Sequence, residues 1–218
     1  VMRPEQVIDI NALERSHGAI EADEKGLRLG ALARMAEAAE HPLIRGDYPV
    51  IADALRLAAS AQIRNMASLG GNVLQRTRCN YFRDPSWAAC NKRNPGSGCA
   101  ALDGVNRKHA VLGTSEHCIA TYPGDFAQAL IALDATVTLA RRDGATRSLP
   151  FAALHRLPGE TPQIETNLEP GELIVAFDVP AGPWTRRSTY LKVRDRESYE
   201  FALASAWVAL ALANGKVQ

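Results

Sequence analysis

Cys79, Cys90, Cys99 and Cys118 are the only cysteines in the 218-residue chain, and all four fall within one stretch of 40 residues. Their intervals are Cys79-x10-Cys90-x8-Cys99-x18-Cys118, and the residues between them are rich in Asn, Pro and Gly, as in Asn94-Pro95-Gly96-Ser97-Gly98. Such a stretch has little preference for regular structure and can wrap a compact object. Three chemistries compete for it. A structural zinc site takes four thiolates but usually shows a C-x2-4-C knuckle, which is missing. Two disulfides suit an oxidising compartment, although this is not a small cysteine-dense scaffold. An iron–sulfur cluster takes four thiolates at idiosyncratic spacing. Charge leans towards the cluster: Arg76, Arg78, Arg83, Lys92, Arg93, Arg107 and Lys108 stand against Asp84, Asp103 and Glu116, a net of +4, beside a [4Fe–4S] core with its thiolates at about −2. Cations also occupy ordinary solvated loops, so on these residues a zinc- or disulfide-stapled, non-redox binding module stays open beside the redox reading.

Two glycine-rich segments suggest other chemistry. Gly96-Ser97-Gly98-Cys99-Ala100-Ala101 fits the G-x-G-x-x-A dinucleotide pattern, but polar, proline-ended residues precede it where that pattern needs a buried strand. In Ser68-Leu69-Gly70-Gly71-Asn72 the paired glycines allow backbone N–H groups to approach an anion, and Ser68 and Asn72 add side-chain donors. The same residues also read as a tight turn between helix and strand. His17, His41, His109, His117 and His155 show no ligand spacing and read as surface or structural residues; Trp87, Trp184 and Trp207 read as packing residues.

These groups need a scaffold, and at 46% apolar the chain can build one. A formal charge of +1 argues against nucleic acid or a charged membrane surface as the main partner. The longest apolar run, 201–213, holds 13 residues including Ser205, short of the roughly 18 a spanning helix needs. Gln6 to Ile10 reads as a short strand and Gly26 to Leu32 as a short strand pair. Leu32, Met35, Ala36 and Ala39 have helical spacing up to His41-Pro42, and a second helix runs from Pro49 through Ala61. Asp125 is a good N-cap for a third helix carrying Phe126, Leu130 and Leu133. Residues 135–140 alternate and turn back at Asp143-Gly144; 173–179, 189–194 and 201–213 are further strands, although the last could be a helix by its alanine content. Arg194 to Glu200 reads as a solvated turn. Early helices and late antiparallel strands make an α+β fold.

Taken together, Ile63-Arg64-Asn65-Met66-Ala67-Ser68-Leu69-Gly70-Gly71-Asn72, Leu74-Gln75-Arg76-Thr77-Arg78-Cys79, Cys90-Asn91-Lys92-Arg93, Pro95-Gly96-Ser97-Gly98-Cys99-Ala100-Ala101-Leu102 and Cys118-Ile119-Ala120-Thr121 resemble the FAD-binding medium subunit of the molybdenum hydroxylases, the xanthine dehydrogenase family. Within it, the sequence is most similar to the flavin subunit of bacterial aldehyde oxidoreductases, the branch with a [4Fe–4S] cluster on an inserted loop. Pro170-Gly171-Glu172-Leu173-Ile174-Val175 and Tyr190-Leu191-Lys192-Val193-Arg194-Asp195-Arg196 extend the likeness.

The resemblance implies a partial FAD-binding domain of the vanillyl-alcohol-oxidase/PCMH type over 1–218, helices on a mainly antiparallel sheet, with an iron–sulfur loop at 76–122. It implies that Ser68, Gly70, Gly71 and Asn72 contact the FAD diphosphate and ribityl region, Asp125 the flavin nucleotide, and Ile174 and Lys192 the isoalloxazine side. Cys79, Cys90, Cys99 and Cys118 would bind the cluster, and no residue would act as nucleophile or general base. The implied partners are a molybdenum-cofactor large subunit and a [2Fe–2S] small subunit, with an external electron acceptor and either the periplasm, within an exported complex, or the cytoplasm as compartment. Relatives carry an Ala-Gly-Gly-Thr loop upstream of the matched segment, and the hairpin signal Asn214-Gly215 stands three residues from the end of the sequence. The sequence is therefore expected to be an interior piece of a longer polypeptide.

Overall fold

Val137 and Leu139 are buried while Thr136 and Thr138 are half-exposed, and this period of two sets the sheet. A computed structural model describes residues 4–218. Five antiparallel strands, β1 (Ile20–Asp23), β2 (Gly26–Gly30), β3 (Thr136–Ala140), β4 (Thr146–Pro150) and β5 (Leu173–Pro180), lie in the order β1-β2-β5-β3-β4. Their register lines up Leu149, Val137, Phe177, Leu29 and Ile20 on one face and Thr136, Asp178, Arg28 and Glu21 on the other. The apolar row is covered and the polar row is laced, with Arg28 donating to Asp178 at 2.5 Å. Between Thr138 and Leu139 the β3–β5 register slips around Val175, whose carbonyl accepts from Ala31 N at 3.0 Å.

The helices are short: α1 (Glu14–His17), α2 (Met35–Glu40), α3 (Pro42–Asp47), α4 (Pro49–Leu57), α5 (Ala61–Met66), α6 (Leu69–Val73), α7 (Asn80–Arg83) and α8 (Asp125–Ala132). Proline opens α3 and α4, where its missing N–H is not needed. The helix expected over 49–61 breaks at Ala58–Ser60: Ala59 sits at φ +50°, and Ser60 caps a new helix by accepting from Ile63 N at 3.3 Å. Val50, Ile51, Ala54 and Leu55 of α4 are buried, and α4 packs against α2 and α8. In the same core Phe177 meets Phe126 and Phe151 edge-on at 5.6 and 6.0 Å.

Residues 201–213 are not one buried strand or a helix. They form β7 (Ala204–Ala209), paired with β6 (Ser188–Val193), and β8 (Leu212–Ala213), which turns through Asn214 and Gly215 at φ +52° and +74° into β9 (Lys216–Val217). Both positive values suit the Asn-Gly hairpin the sequence predicts. Most of β7 and all of β8 are exposed. Residues 6–10 form no strand. All these elements except α7 belong to one compact unit, residues 9–74, 124–152 and 169–218.

The second unit comprises residues 4–8, 75–123 and 153–168. Its one helix is α7, and isolated bridges such as Cys90–Cys99 and Ser115–Cys118 replace strands. Among the described residues no helix is long and apolar enough to cross a membrane.

Candidate functional site

With little secondary structure, the cysteine loop satisfies its backbone through side chains, as buried polar groups require. Arg93 donates to the carbonyls of Tyr81 and Phe82 at 2.8 and 2.6 Å and to that of Trp87. Asn91 accepts from Gly98 N at 2.9 Å and donates to His117 O at 3.1 Å. Glu165 accepts from Arg76 at 2.5 Å and from Lys92 at 2.9 Å, and Arg76 lies over the Phe82 ring at 4.5 Å. These bonds gather Cys79, Cys90, Cys99 and Cys118 onto one cavity, lined also by Tyr81, Phe82, Ala101 and Lys92. Of the seven cations counted in the sequence, Lys92 lines the cavity; Arg76 and Arg93 are engaged in holding the loop.

All four cysteines are free thiols, and no three His, Cys, Asp or Glu side chains among the described residues could hold a single metal ion. Four thiols lining one cavity are the donor set that a zinc ion or an iron–sulfur core takes. Cys79 precedes α7, where the Tyr81 and Phe82 amides face its sulfur, and Ala120 N donates to Cys118 Sγ at 3.5 Å. Burial pushes both thiols above their ordinary range; those amides, and Lys92 at Cys118, pull the other way. His109, which its spacing marked as surface or structural, places Nε2 3.2 Å from Cys79 Sγ. Thirty residues separate the two, so no local pattern announces the contact.

The glycine pair is part of α6 and not a loop. Leu69 N and Gly70 N donate to Ala33 and Ala31 carbonyls at 3.0 and 2.8 Å, Gly71 N donates to Ser68 Oγ at 3.2 Å, and Asn72 N donates to Ser68 O at 2.9 Å. The amides expected to face an anion are therefore committed to protein acceptors. Gly70 suits the close approach: a Cβ there would lie 3.1 Å from that of Ala31, a tight contact. What the segment keeps for another partner is the Ser68 hydroxyl, the bare exposed Gly71 and Asn72 Oδ1, which is buried without a hydrogen bond among the described residues. Helix α6 packs against α8 and β5, the elements that begin with Asp125 and carry Ile174.

Asp125 does not cap α8. It is the first helical residue, Gly124 holds the cap position, and the carboxylate instead accepts from Lys192 Nζ at 2.8 Å and Tyr190 OH at 2.7 Å. Lys192 also donates to Leu57 O at 3.0 Å. The pair is deep, with side chains 5% and 1% exposed. Burial raises the Asp125 carboxyl against the pull of Lys192 and Tyr190, and it raises the Tyr190 hydroxyl too. Ile174 is half-buried on β5 opposite Leu139, just beyond the register slip. Tyr190 escaped sequence reasoning although it stands two residues before Lys192; on a strand that spacing puts both on one face.

The model of the FAD binding domain in molybdopterin dehydrogenase matches residues 1–182. The chain is 52% identical over 202 residues to the aldehyde oxidoreductase FAD-binding subunit PaoB of Escherichia coli (strain K12), across 93% of this chain and 63% of that protein. It is 23% identical over 218 residues to the glyceraldehyde dehydrogenase medium chain of Sulfolobus acidocaldarius, across 100% of this chain and 59% of that one. Carbon monoxide dehydrogenase from Hydrogenophaga pseudoflava shares the fold at a TM-score of 0.65 and 22% identity, over 99% of this chain and 57% of that one. Quinoline 2-oxidoreductase from Pseudomonas putida 86 does so at 0.60 and 19%, over 93% and 53%. The chain thus spans roughly three fifths of the length of the curated relatives it matches. Sequence and fold likeness run through the same helices and antiparallel strands that carry Ser68–Asn72 and Asp125, and the chain belongs to the family of FAD-binding domains of molybdopterin dehydrogenases.

Proposed function

We propose that this chain is the FAD-holding part of the flavin subunit of an aldehyde-oxidising molybdenum hydroxylase, with a PCMH-type fold and a [4Fe–4S] loop at 76–122. The substrate, an aldehyde or aromatic heterocycle, is oxidised at a molybdenum cofactor on a large partner subunit. A small [2Fe–2S] subunit links that centre to this one, an external acceptor takes the electrons, and the complex works in the periplasm or the cytoplasm. The 52% identity to a protein named as an aldehyde oxidoreductase FAD-binding subunit supports the substrate class. When bound, FAD would supply electron uptake and release, and a [4Fe–4S] centre single-electron transfer.

This chain's residues bind and orient. The observation that carries the cluster is the gathering of four free cysteines on one cavity, with N–H groups facing Cys79 and Cys118. Thiolates in such a site are stabilised by those donors and by Lys92, and assembly releases their protons. For FAD, the unpartnered buried Asn72 Oδ1 and the Ser68 hydroxyl fit a polar ligand beside Gly70 and Gly71, with contact by side chains replacing an amide cradle. Asp125 and Lys192 form a buried ion pair and Ile174 is half-buried on β5; on this reading they serve the flavin side, where the pair would fix where a charge can stand.

The test is elemental and flavin analysis of the full-length subunit prepared anaerobically in its complex. About four irons per subunit, extractable FAD and a visible absorption bleached by dithionite are expected. Cys99→Ser should strip the iron and leave the flavin. A colourless zinc-loaded protein refutes the cluster, and iron unchanged by Cys99→Ser refutes the ligand assignment.

A further inference from the structure

We propose that His109 sets the reduction potential of the iron–sulfur centre by donating its Nε2–H to the Cys79 thiolate, an inference that rests on the cluster reading above. The two atoms are 3.2 Å apart. The ring's other nitrogen, Nδ1, is buried with no partner among the described residues. A proton on Nδ1 would be a buried donor with no acceptor, whereas a proton on Nε2 points at sulfur, so the geometry selects the tautomer that donates.

The position of the ring is built. His109 N donates to Asn106 O at 2.8 Å, and the ring lies 6.0 Å from that of Tyr81, two residues after Cys79. Tyr81 OH in turn accepts from Val105 N at 2.7 Å. The loop reaches Tyr81 only because residue 104 is glycine: a Cβ there would lie 2.2 Å from the Tyr81 hydroxyl and 2.6 Å from Ala100 O. Cys79 thus faces the amides of Tyr81 and Phe82 and an imidazole held in place from both sides. A cluster gains negative charge on reduction, and a donor on a ligand sulfur stabilises that state more than the oxidised one. His109 acts through Cys79 and raises the potential.

The experiment compares the full-length subunit, in its anaerobically prepared complex, as wild type, His109→Phe and His109→Gln. Phe keeps a ring beside Tyr81 without a donor; Gln restores an N–H at similar reach. Iron content should match the wild type in both. In a redox titration followed by electron paramagnetic resonance, H109F should lower the reduced-to-oxidised ratio at a fixed potential about tenfold, which is about 59 mV for one electron. H109Q should recover most of that. An H109F cluster with the wild-type midpoint, or an H109Q midpoint no nearer the wild type than that of H109F, overturns the tuning while the cluster stands. Should H109F not assemble, wild type carrying 15N-histidine decides: a weak 15N coupling and an exchangeable proton on the reduced cluster support the bond, and their absence overturns it. A wild type without iron removes both the tuning and the cluster.

Discussion

Replacing Asp125 by Asn should be among the most damaging isosteric changes in the sheet-bearing unit. The substitution keeps the side-chain volume and an acceptor for Tyr190, but it leaves the Lys192 ammonium, 1% exposed, with Leu57 O as the one partner that remains among its described bonds. Removing one member of a buried ion pair costs about 3–5 kcal/mol, because the survivor keeps its desolvation penalty without its counter-charge. For a chain of this size each kcal/mol lowers Tm by roughly 2–4 °C, so a fall of roughly 6–20 °C is expected. Lys192→Met should behave differently. It strands a carboxyl that burial already raises, and that carboxyl can escape by taking a proton. With the folded value above the unfolded one, the penalty of Lys192→Met is full at neutral pH and shrinks as pH falls through the folded value, whereas Asp125→Asn offers no such relief. The double variant D125N/K192M leaves no charge behind and should regain most of the loss. Urea denaturation of flavin-free chain, followed by circular dichroism at two pH values, separates folding from cofactor binding. An Asp125→Asn variant within about 1 kcal/mol of wild type, or a double variant no more stable than D125N, would show that the pair does not behave as a buried ion pair.

The other predictions concern acid stability and the cysteine loop. Glu172, its side chain 1% exposed, accepts from Arg147 at 2.6 and 2.7 Å and from Glu169 N at 2.8 Å, and the Arg147 guanidinium lowers its carboxyl from the ordinary 4.5 to about 2. Because the folded value is the lower one, the stability this group contributes is complete above about pH 4.5 and is lost as pH falls towards 2. Glu172→Gln should flatten that part of an acid-unfolding curve, and an unchanged curve counts against the linkage. Gly104→Ala forces a methyl group into Ala100 O and the Tyr81 hydroxyl, so it should lower iron content per subunit while far-ultraviolet circular dichroism of the sheet unit stays as it was; full iron loading contradicts it. The iron loss expected of Cys99→Ser and the potential shift expected of His109→Phe complete the set.

The strand alternation at 136–140, the proline that opens α4, and the Asn214-Gly215 turn were all legible, because each reports a local constraint: which face is buried, where an N–H is dispensable, which residues accept positive φ. Helix α3 was not, because His41-Pro42 reads as a stop and Pro42 in fact opens it. Family membership was legible too: the motifs from Ile63 to Val175 lie within residues 1–182, which the family model matches. The break of the helix at Ala58–Ser60 was not, because the apolar period continues across it and Ser60 reveals itself as a cap only once Ile63 N turns towards it. The exposed course of β7 likewise lies outside composition, since alanines and aliphatics look the same buried or bare.

For the sites, the sequence by itself determined the donor chemistry: four thiols in one irregular loop, a polar glycine pair, one carboxylate in a helix and one ammonium on a strand. Only the tertiary structure decided what those groups face. It turned Asp125 from a cap into half of a buried pair with Lys192, folded Gly70 and Gly71 into a helical turn whose amides are taken, and set His109 against Cys79. Residue type fixes what a group can donate or accept, but a partner 30 or 67 residues away is chosen by chain packing, and no local period encodes that distance.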